Sequence, residues 1–435
     1  MRPTQDFTAQ NLFWMKGRKV PDSIKNNAPK SKDEWLKLSS EVEDAIAHGT
    51  FQFTGVFPSV ASGKPALSTS SAADALVLRK INDNIRRAYG IRQAQRGQAV
   101  KLALIALAEW TPKGVVSLDL KSCFENITPR KVVEKLRKDA KVSTQTIHLL
   151  EQFFARARRF GGNKYRKGLP RGILVSSTLA ELYLSGLDDR VSRMPGVYVY
   201  IRYVDDILVL AARSASGLLD EISQAIAGEG LQLNAAKSKV VDAGCSCAFE
   251  CSHSVGSCPC QQRCACNLGV GNLIHIDYLG YRLIFPTGKD VKNSVCYAMI
   301  AKGKAERTKK RVALSIAHYK KYKNFLLLVD CIRYLTTNVT VDRARKQSRL
   351  SSGVAYTYEH YQEPPAPHKF HDCSLEGLDK FLRTKIRILA ASQGFTYMQR
   401  RELNRHSFVY GHKNKHKSSF TKARVLEVRG CWENV

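Results

Sequence analysis

Tyr203-Val204-Asp205-Asp206 sets two adjacent carboxylates between two apolar runs, residues 197–201 and 207–212. Both runs are rich in β-branched and aromatic residues, so both read as strands, with the aspartates at or near the tip of a hairpin. Such a tip ordinarily takes Asn-Gly or Asp-Gly. Two neighbouring carboxylates there repel each other, and each favours staying solvated or protonated. A divalent cation relieves that repulsion, and hard carboxylate oxygens suit Mg²⁺, which takes one or two carboxylates and completes its shell with phosphates. A solvated acidic turn would also account for these four residues taken alone.

A second acidic position precedes the hairpin. Asp119 stands near the end of a short apolar strand expected over residues 115–120. Brought to the Asp205-Asp206 tip, it would complete a two-metal site, with cations about 3.5–4 Å apart stabilising the attacking and leaving oxygens of a phosphoryl transfer. Alone, Asp119 is an ordinary strand-end carboxylate.

A separate cluster suggests metal of another kind. Cys245, Cys247, Cys251 and His253 are followed by Cys258, Cys260, Cys264 and Cys266, the second quartet repeating the spacing of the first. Two tetrahedral Zn²⁺ sites, Cys₃His and Cys₄, would use all eight side chains. Interleaved ligation and an Fe–S cluster remain alternatives, as does a redox-labile loop. A segment so short buries no core of its own, and metal binding can supply its folding free energy.

The elements that must position these residues alternate between helix and strand. Residues 55–71 read as loop from their Gly, Ser, Pro and Thr content. A basic helical stretch covers 72–110 and carries Arg92 and Arg96. Helices are expected from Thr128-Pro129 to about 138, over 144–159, 173–193 and 215–227, with a Gly-rich basic loop over 161–172. Residues 240–241 and 276–285 read as strand, the chain beyond about 300 as basic and mostly helical, and 401–429 as a basic tail. The pattern is an α+β core with an α-rich C-terminal region.

The 435 residues suffice for two or three domains. Sixty-nine Lys+Arg against 38 Asp+Glu give a net charge of +31, which calls for a polyanionic partner, nucleic acid before an anionic membrane. No apolar signal core or membrane-length apolar run is visible, so a cytoplasmic protein with no membrane partner is expected. In that compartment the twelve cysteines read as thiols or metal ligands rather than disulfides.

Five segments in order resemble the motifs of reverse transcriptases: 117–127 (SLDLKSCFENI) motif A, 168–177 (GLPRGILVSS) motif B, 200–210 (YIRYVDDILVL) motif C, 231–239 (LQLNAAKSK) motif D and 278–283 (YLGYRL) motif E. The resemblance covers roughly residues 75–300. It implies a right-hand polymerase of fingers, palm and thumb, with an N-terminal extension over 1–75, fingers and palm over 76–300 interrupted by the Cys-rich insert at 243–272, and a basic thumb and tail over 301–435. It implies an RNA-directed DNA polymerase acting on RNA and dNTPs to make DNA.

Carried over by position, Asp119, Asp205 and Asp206, with the carbonyl of Leu120, would bind two Mg²⁺. Phe124 matches the steric gate that rejects a 2′-hydroxyl. Pro170, Arg171 and Gly172 belong to the loop against the nascent base pair, Lys237 is the candidate general acid for pyrophosphate, and Arg92 and Arg96 lie where the triphosphate is gripped. Arg171 stands where many relatives have Gln, and Ser176-Ser177 replaces a common Ser-Pro. These departures, with no endonuclease, maturase or RNase H signature in view, are more similar to bacterial defence-associated (antiphage, unknown-group or Abi-like) enzymes, among them the smaller polymerase of the type 3 systems. Such enzymes work with a structured non-coding RNA and sometimes with a second reverse transcriptase or another copy of themselves. A retron- or intron-type enzyme and an RNA-binding scaffold subunit are the competing readings.

Overall fold

The computed structural model describes residues 4–17, 22–24, 28–61, 63–109, 111–161, 167–243, 273–286, 295–342, 348–365 and 370–433. The Cys-rich insert, with Cys245, Cys247, Cys251, His253, Cys258, Cys260, Cys264 and Cys266, lies outside the described residues. Helix and strand are mixed along the chain, which divides into two compact units. The first comprises residues 1–94, 118–211 and 216–239, the second 95–117, 212–215 and 240–435, so residues 1–75 belong to the same unit as residues 76–94.

The first unit is organised around two helices, Ala72–Ala88 and Leu174–Ser192, which pack together. Leu76, Ile81 and Ile85 of one and Val175, Leu179 and Leu187 of the other are buried. Ser71 caps the first helix by accepting from the Asp74 amide, and the Asp74 carboxylate accepts in turn from the Gly55 amide at 2.8 Å. Helices Pro129–Asp139 and Thr144–Gly161 complete this side. Pro129 at the start of its helix uses a position whose N–H would be unpaired in any case.

The expected loop at 55–71 is instead an antiparallel ribbon, Val56–Ala61 paired with Lys64–Thr69. Pro58 and Pro65 mislead the composition reading, because a two-stranded ribbon uses one hydrogen-bonding edge per strand and tolerates proline on the other. The acidic hairpin forms from Val197–Tyr203 and Asp206–Ala211. Ile207 to Ala211 are buried throughout, as a continuous apolar run in the middle of a sheet should be. On the far side of that strand runs the Leu118–Asp119 end of the strand Lys113–Asp119.

In the second unit the expected single strand over 276–285 is a hairpin, Leu273–Tyr278 with Tyr281–Pro286. Leu279 and Gly280 both take positive φ, 49° and 78°, which is the two-residue turn matching strand twist. Tyr297–Ile300 adds a third strand. Helices Lys302–Tyr322, Phe325–Thr336 and Leu375–Gln393 close around Val312, Ile316, Leu328, Leu382 and Ile386.

This region also holds a sheet that helical periodicity did not announce. Asn338–Asp342 lies between Ser348–Gly353, antiparallel, and Lys417–Thr421, parallel. The basic tail is folded as well, into helices Tyr397–Asn404, Phe408–Lys413 and Lys422–Gly430. Val425, Val428 and Trp432 are buried between its charges, and the Trp432 indole donates to the Ser315 hydroxyl at 2.9 Å. Among the described residues no helix is long and apolar enough to cross a membrane.

Candidate active site

The hairpin closes on the pair Tyr203 and Asp206, which leaves Val204 and Asp205 as its two-residue turn. Val204 has φ 59°, a left-handed conformation that a β-branched residue rarely adopts. The turn is pinned from both sides. Arg202 donates to the Val204 carbonyl at 3.2 Å, and the Leu120 amide donates to the Asp205 carbonyl at 3.0 Å. The Asp205 side of the tip is thereby tied to the residue after Asp119.

On its other side the same strand end meets residues 232–234. The Lys121 amide donates to the Gln232 carbonyl and the Asn234 amide to the Asp119 carbonyl, each at 2.8 Å, with Leu120 bridged to Leu233. Ser122 then takes φ 49° and turns the chain into the short helix Cys123–Asn126. Asp119 therefore stands between the carboxylate turn and the segment carrying Asn234 and Lys237.

The side chains conform to that backbone. Asn234 Nδ2 donates to Asp119 Oδ2 at 3.0 Å, and Lys237 Nζ lies 3.0 Å from Oδ1 and 3.2 Å from Oδ2. Burial pushes the Asp205 carboxyl above its ordinary range, and the charge of Asp119 pushes it further. Lys237 and Arg171 pull it down. The donors of this corner are hard oxygens, a set that fits Mg²⁺. Among the described residues, no three His, Cys, Asp or Glu side chains already converge as a metal-binding group.

Beside the carboxylates, Phe124 and Glu125 sit on the short helix and face the motif B loop. The Leu169 amide donates to the Phe124 carbonyl at 2.7 Å. A Cβ on Gly168 would come within 2.8 Å of the Glu125 backbone, so glycine is what allows this approach. Pro170 is buried, and Arg171 and Gly172 turn the chain outward against the ribbon, where the Leu67 amide donates to the Arg171 carbonyl at 2.8 Å. Gly172 has φ 85° and no room for a Cβ, which would stand 2.3 Å from the Leu67 carbonyl oxygen.

Arg171 grips Glu125 by two parallel bonds, Nε to Oε1 at 2.8 Å and Nη2 to Oε2 at 3.1 Å. The same guanidinium lies over the Phe124 ring, 5.2 Å from its centroid. Behind Phe124 is a cavity of about 150 Å³ lined by Cys123, Ser177, Glu181, Tyr203 and Val204 among others. Burial pushes the Cys123 thiol up to about 12, with the Asp205 charge adding to it, so this thiol stays protonated.

Under the hairpin, Arg202 is the hub of a charged network, its side chain 8% exposed. It contacts Glu181 at 2.8 Å and Asp188 at 2.7 Å, and the Tyr200 hydroxyl donates to Asp188 at 2.6 Å. Arg202, Glu125 and Asn234 did not emerge from motif reading.

Arg92 is exposed at the end of the first unit. Arg96 belongs to the second unit, where Nη1 donates to the Thr357 carbonyl at 2.7 Å and Nη2 to the Leu279 carbonyl at 2.6 Å. Its guanidinium also lies over the Tyr281 ring. Arg96 is thus engaged with backbone of its own unit, which the basic-helix reading did not foresee.

Residues 71–283 match the family model described as reverse transcriptase (RNA-dependent DNA polymerase). No curated protein matches the chain. The matched span contains Asp119, Phe124, residues 168–172, Asp205, Asp206 and Lys237.

Proposed function

We propose that this RNA-directed DNA polymerase, a nucleotidyltransferase that uses an RNA template and dNTPs to make DNA, works through Asp119, Asp205 and Asp206. The observation that carries the reading is the double tether of the Asp119 strand end, to Asp205 on one side and to Asn234 on the other. It gathers the motif A, C and D residues into one half-buried acidic corner.

Asp119, Asp205, Asp206 and the Leu120 carbonyl would hold two Mg²⁺, which supply charge neutralisation to the attacking and leaving oxygens. In the reaction the primer 3′-hydroxyl gives up its proton to water, its oxygen forms a bond to the α-phosphorus, and the bond to pyrophosphate breaks. Lys237, 3.0 Å from Asp119, delivers a proton to the departing pyrophosphate. Phe124 occupies the space a 2′-hydroxyl would need. Pro170, Arg171 and Gly172, in a loop held by the Leu169 amide on the Phe124 carbonyl and by the Leu67 amide on the Arg171 carbonyl, form a wall beside the new base pair. Arg92 is the remaining candidate for the triphosphate, with Arg96 committed to carbonyls.

By the motif resemblance, residues 76–300 are fingers and palm, with thumb and tail beyond 301. The second unit contributes nucleic-acid contacts. A cavity of about 430 Å³ there is lined by Asn338, Tyr356, Glu359, His412, Lys415 and Lys417 among others, so a tyrosine and two lysines share it with one carboxylate. Arg171 and Ser176-Ser177 support placement among cytoplasmic defence enzymes acting on a dedicated non-coding RNA. The insert's repeat of eight ligands supports two Zn²⁺, and metal analysis of purified protein should return about two zinc per chain.

The test is Asp205→Ala in purified protein with an RNA template and DNA primer. Incorporation should fall by at least about 10³-fold, with RNA affinity unchanged. Wild-type incorporation by this variant would end the proposal.

A further inference from the structure

Phe124 cannot act as a size filter unless its ring stays in place, and nothing in its own short helix fixes that ring. The helix Cys123–Asn126 is a single turn, and Phe124 is only partly buried. What covers the ring is the Arg171 guanidinium, 5.2 Å from its centroid. That guanidinium is not free to swing, because Glu125 holds it through the two bonds at 2.8 and 3.1 Å. The backbone closes the same loop, with the Leu169 amide on the Phe124 carbonyl and the Arg171 carbonyl on Leu67.

We propose that Glu125 and Arg171 form a positioning clamp that fixes Phe124 and thereby sets how strictly the enzyme excludes ribonucleotides. The inference rests on the reading of Phe124 as the sugar gate. It assigns work to Glu125, and to the arginine that stands where a glutamine is common. A planar guanidinium alone can stack on a ring and fork onto a carboxylate at once, whereas glutamine or lysine does one or neither. The ion pair leaves its mark on both partners, Glu125 being held below the usual carboxylate range chiefly by its bond to Arg171, and Arg171 raised chiefly by Glu125. The pair is also partly exposed, 29% for the Arg171 side chain and 46% for Glu125, which makes it sensitive to salt.

The test measures single-nucleotide incorporation of matched dNTP and rNTP by the full-length protein on an RNA template with a DNA primer. Glu125→Gln and Arg171→Lys should each raise the rNTP-to-dNTP ratio of kcat/KM on the order of fivefold, against about a hundredfold for Phe124→Ala. The change should lie in KM for the rNTP. Raising salt should move the wild-type ratio toward that of Glu125→Gln and leave the variant's own ratio where it is. That titration needs no substitution, so misfolding of a variant cannot mask the outcome. If Phe124→Ala relaxes selectivity while Glu125→Gln, Arg171→Lys and salt do not, the clamp is overturned and the gate stands. If Phe124→Ala leaves the ratio unchanged, the gate assignment falls and the clamp with it.

Discussion

Lys237 Nζ sits 3.0 and 3.2 Å from the two carboxylate oxygens of Asp119. The proposed proton donor and a candidate cation ligand therefore share one contact, and a cation bound at Asp119 would have to displace the ammonium or share the carboxylate with it. A displaced ammonium would be available to the leaving group, so the proposal links loading of the site to readiness of the acid.

Lys237→Met separates these two effects. The turnover rate should fall about 10²-fold, as expected for loss of a general acid. The Mg²⁺ concentration for half-maximal rate should fall too, because the ammonium no longer competes for Asp119. Rapid-quench incorporation over a Mg²⁺ titration measures both, and an unchanged rate would remove Lys237 from the chemistry.

Arg96 should behave as a structural residue. Arg96→Ala strips two charge-assisted hydrogen bonds from the Thr357 and Leu279 carbonyls and uncovers Tyr281. A cost of about 2–4 kcal/mol is expected in urea unfolding. The KM for dNTP of the folded fraction should not change. Arg92→Ala should show the opposite pattern, stability intact and KM raised about tenfold, the loss of one phosphate contact.

Arg202 lies beneath the tip with Glu181 and Asp188 as partners. Arg202→Leu leaves two partly buried carboxylates without their cation and should cost about 3–5 kcal/mol. Adding Glu181→Gln and Asp188→Asn to it should recover most of that loss in thermal unfolding, since the damage comes from the stranded charges.

Asp74 gives the fold a pH signature. Burial pushes its carboxyl up to about 6, against the pull of the Gly55 amide and the Ser71 hydroxyl. The unfolded chain releases this proton near pH 3.9. A raised folded value means the native state holds the proton longer, so its contribution to stability is complete below about pH 4 and is lost as pH rises to about 6. Asp74→Asn should remove that slope while keeping an acceptor for the Gly55 amide. Urea midpoints between pH 4 and 7 compare the two proteins.

What the chain announced and what it hid divide along physical lines. The hairpin at Tyr203–Asp206 and the strand leading to Asp119 were legible because buried β-branched runs have few other uses. The ribbon at 56–69 was hidden by its prolines, and the turn at Leu279-Gly280 by an apolar first residue. The strand Lys417–Thr421 pairs in parallel with Asn338–Asp342 across a long stretch of intervening chain, and its alternation is carried by serine and a single phenylalanine. In the candidate site, motif spacing named Asp119, Asp205 and Lys237, which lie side by side. It did not supply Glu125, because no local pattern says which acid a distant arginine will meet. The carbonyl partners of Arg96 were hidden for the same reason, lying far along the chain.

Val204 remains at φ 59°, where a branched side chain crowds its own backbone. Glycine at that position would relax the crowding, at some loss of definition in the turn. A directed-evolution screen scored on heat resistance should therefore be drawn to position 204, while one scored on cDNA yield should be driven away from it. The residue marks a spot where durability and craft pull the same backbone in opposite directions.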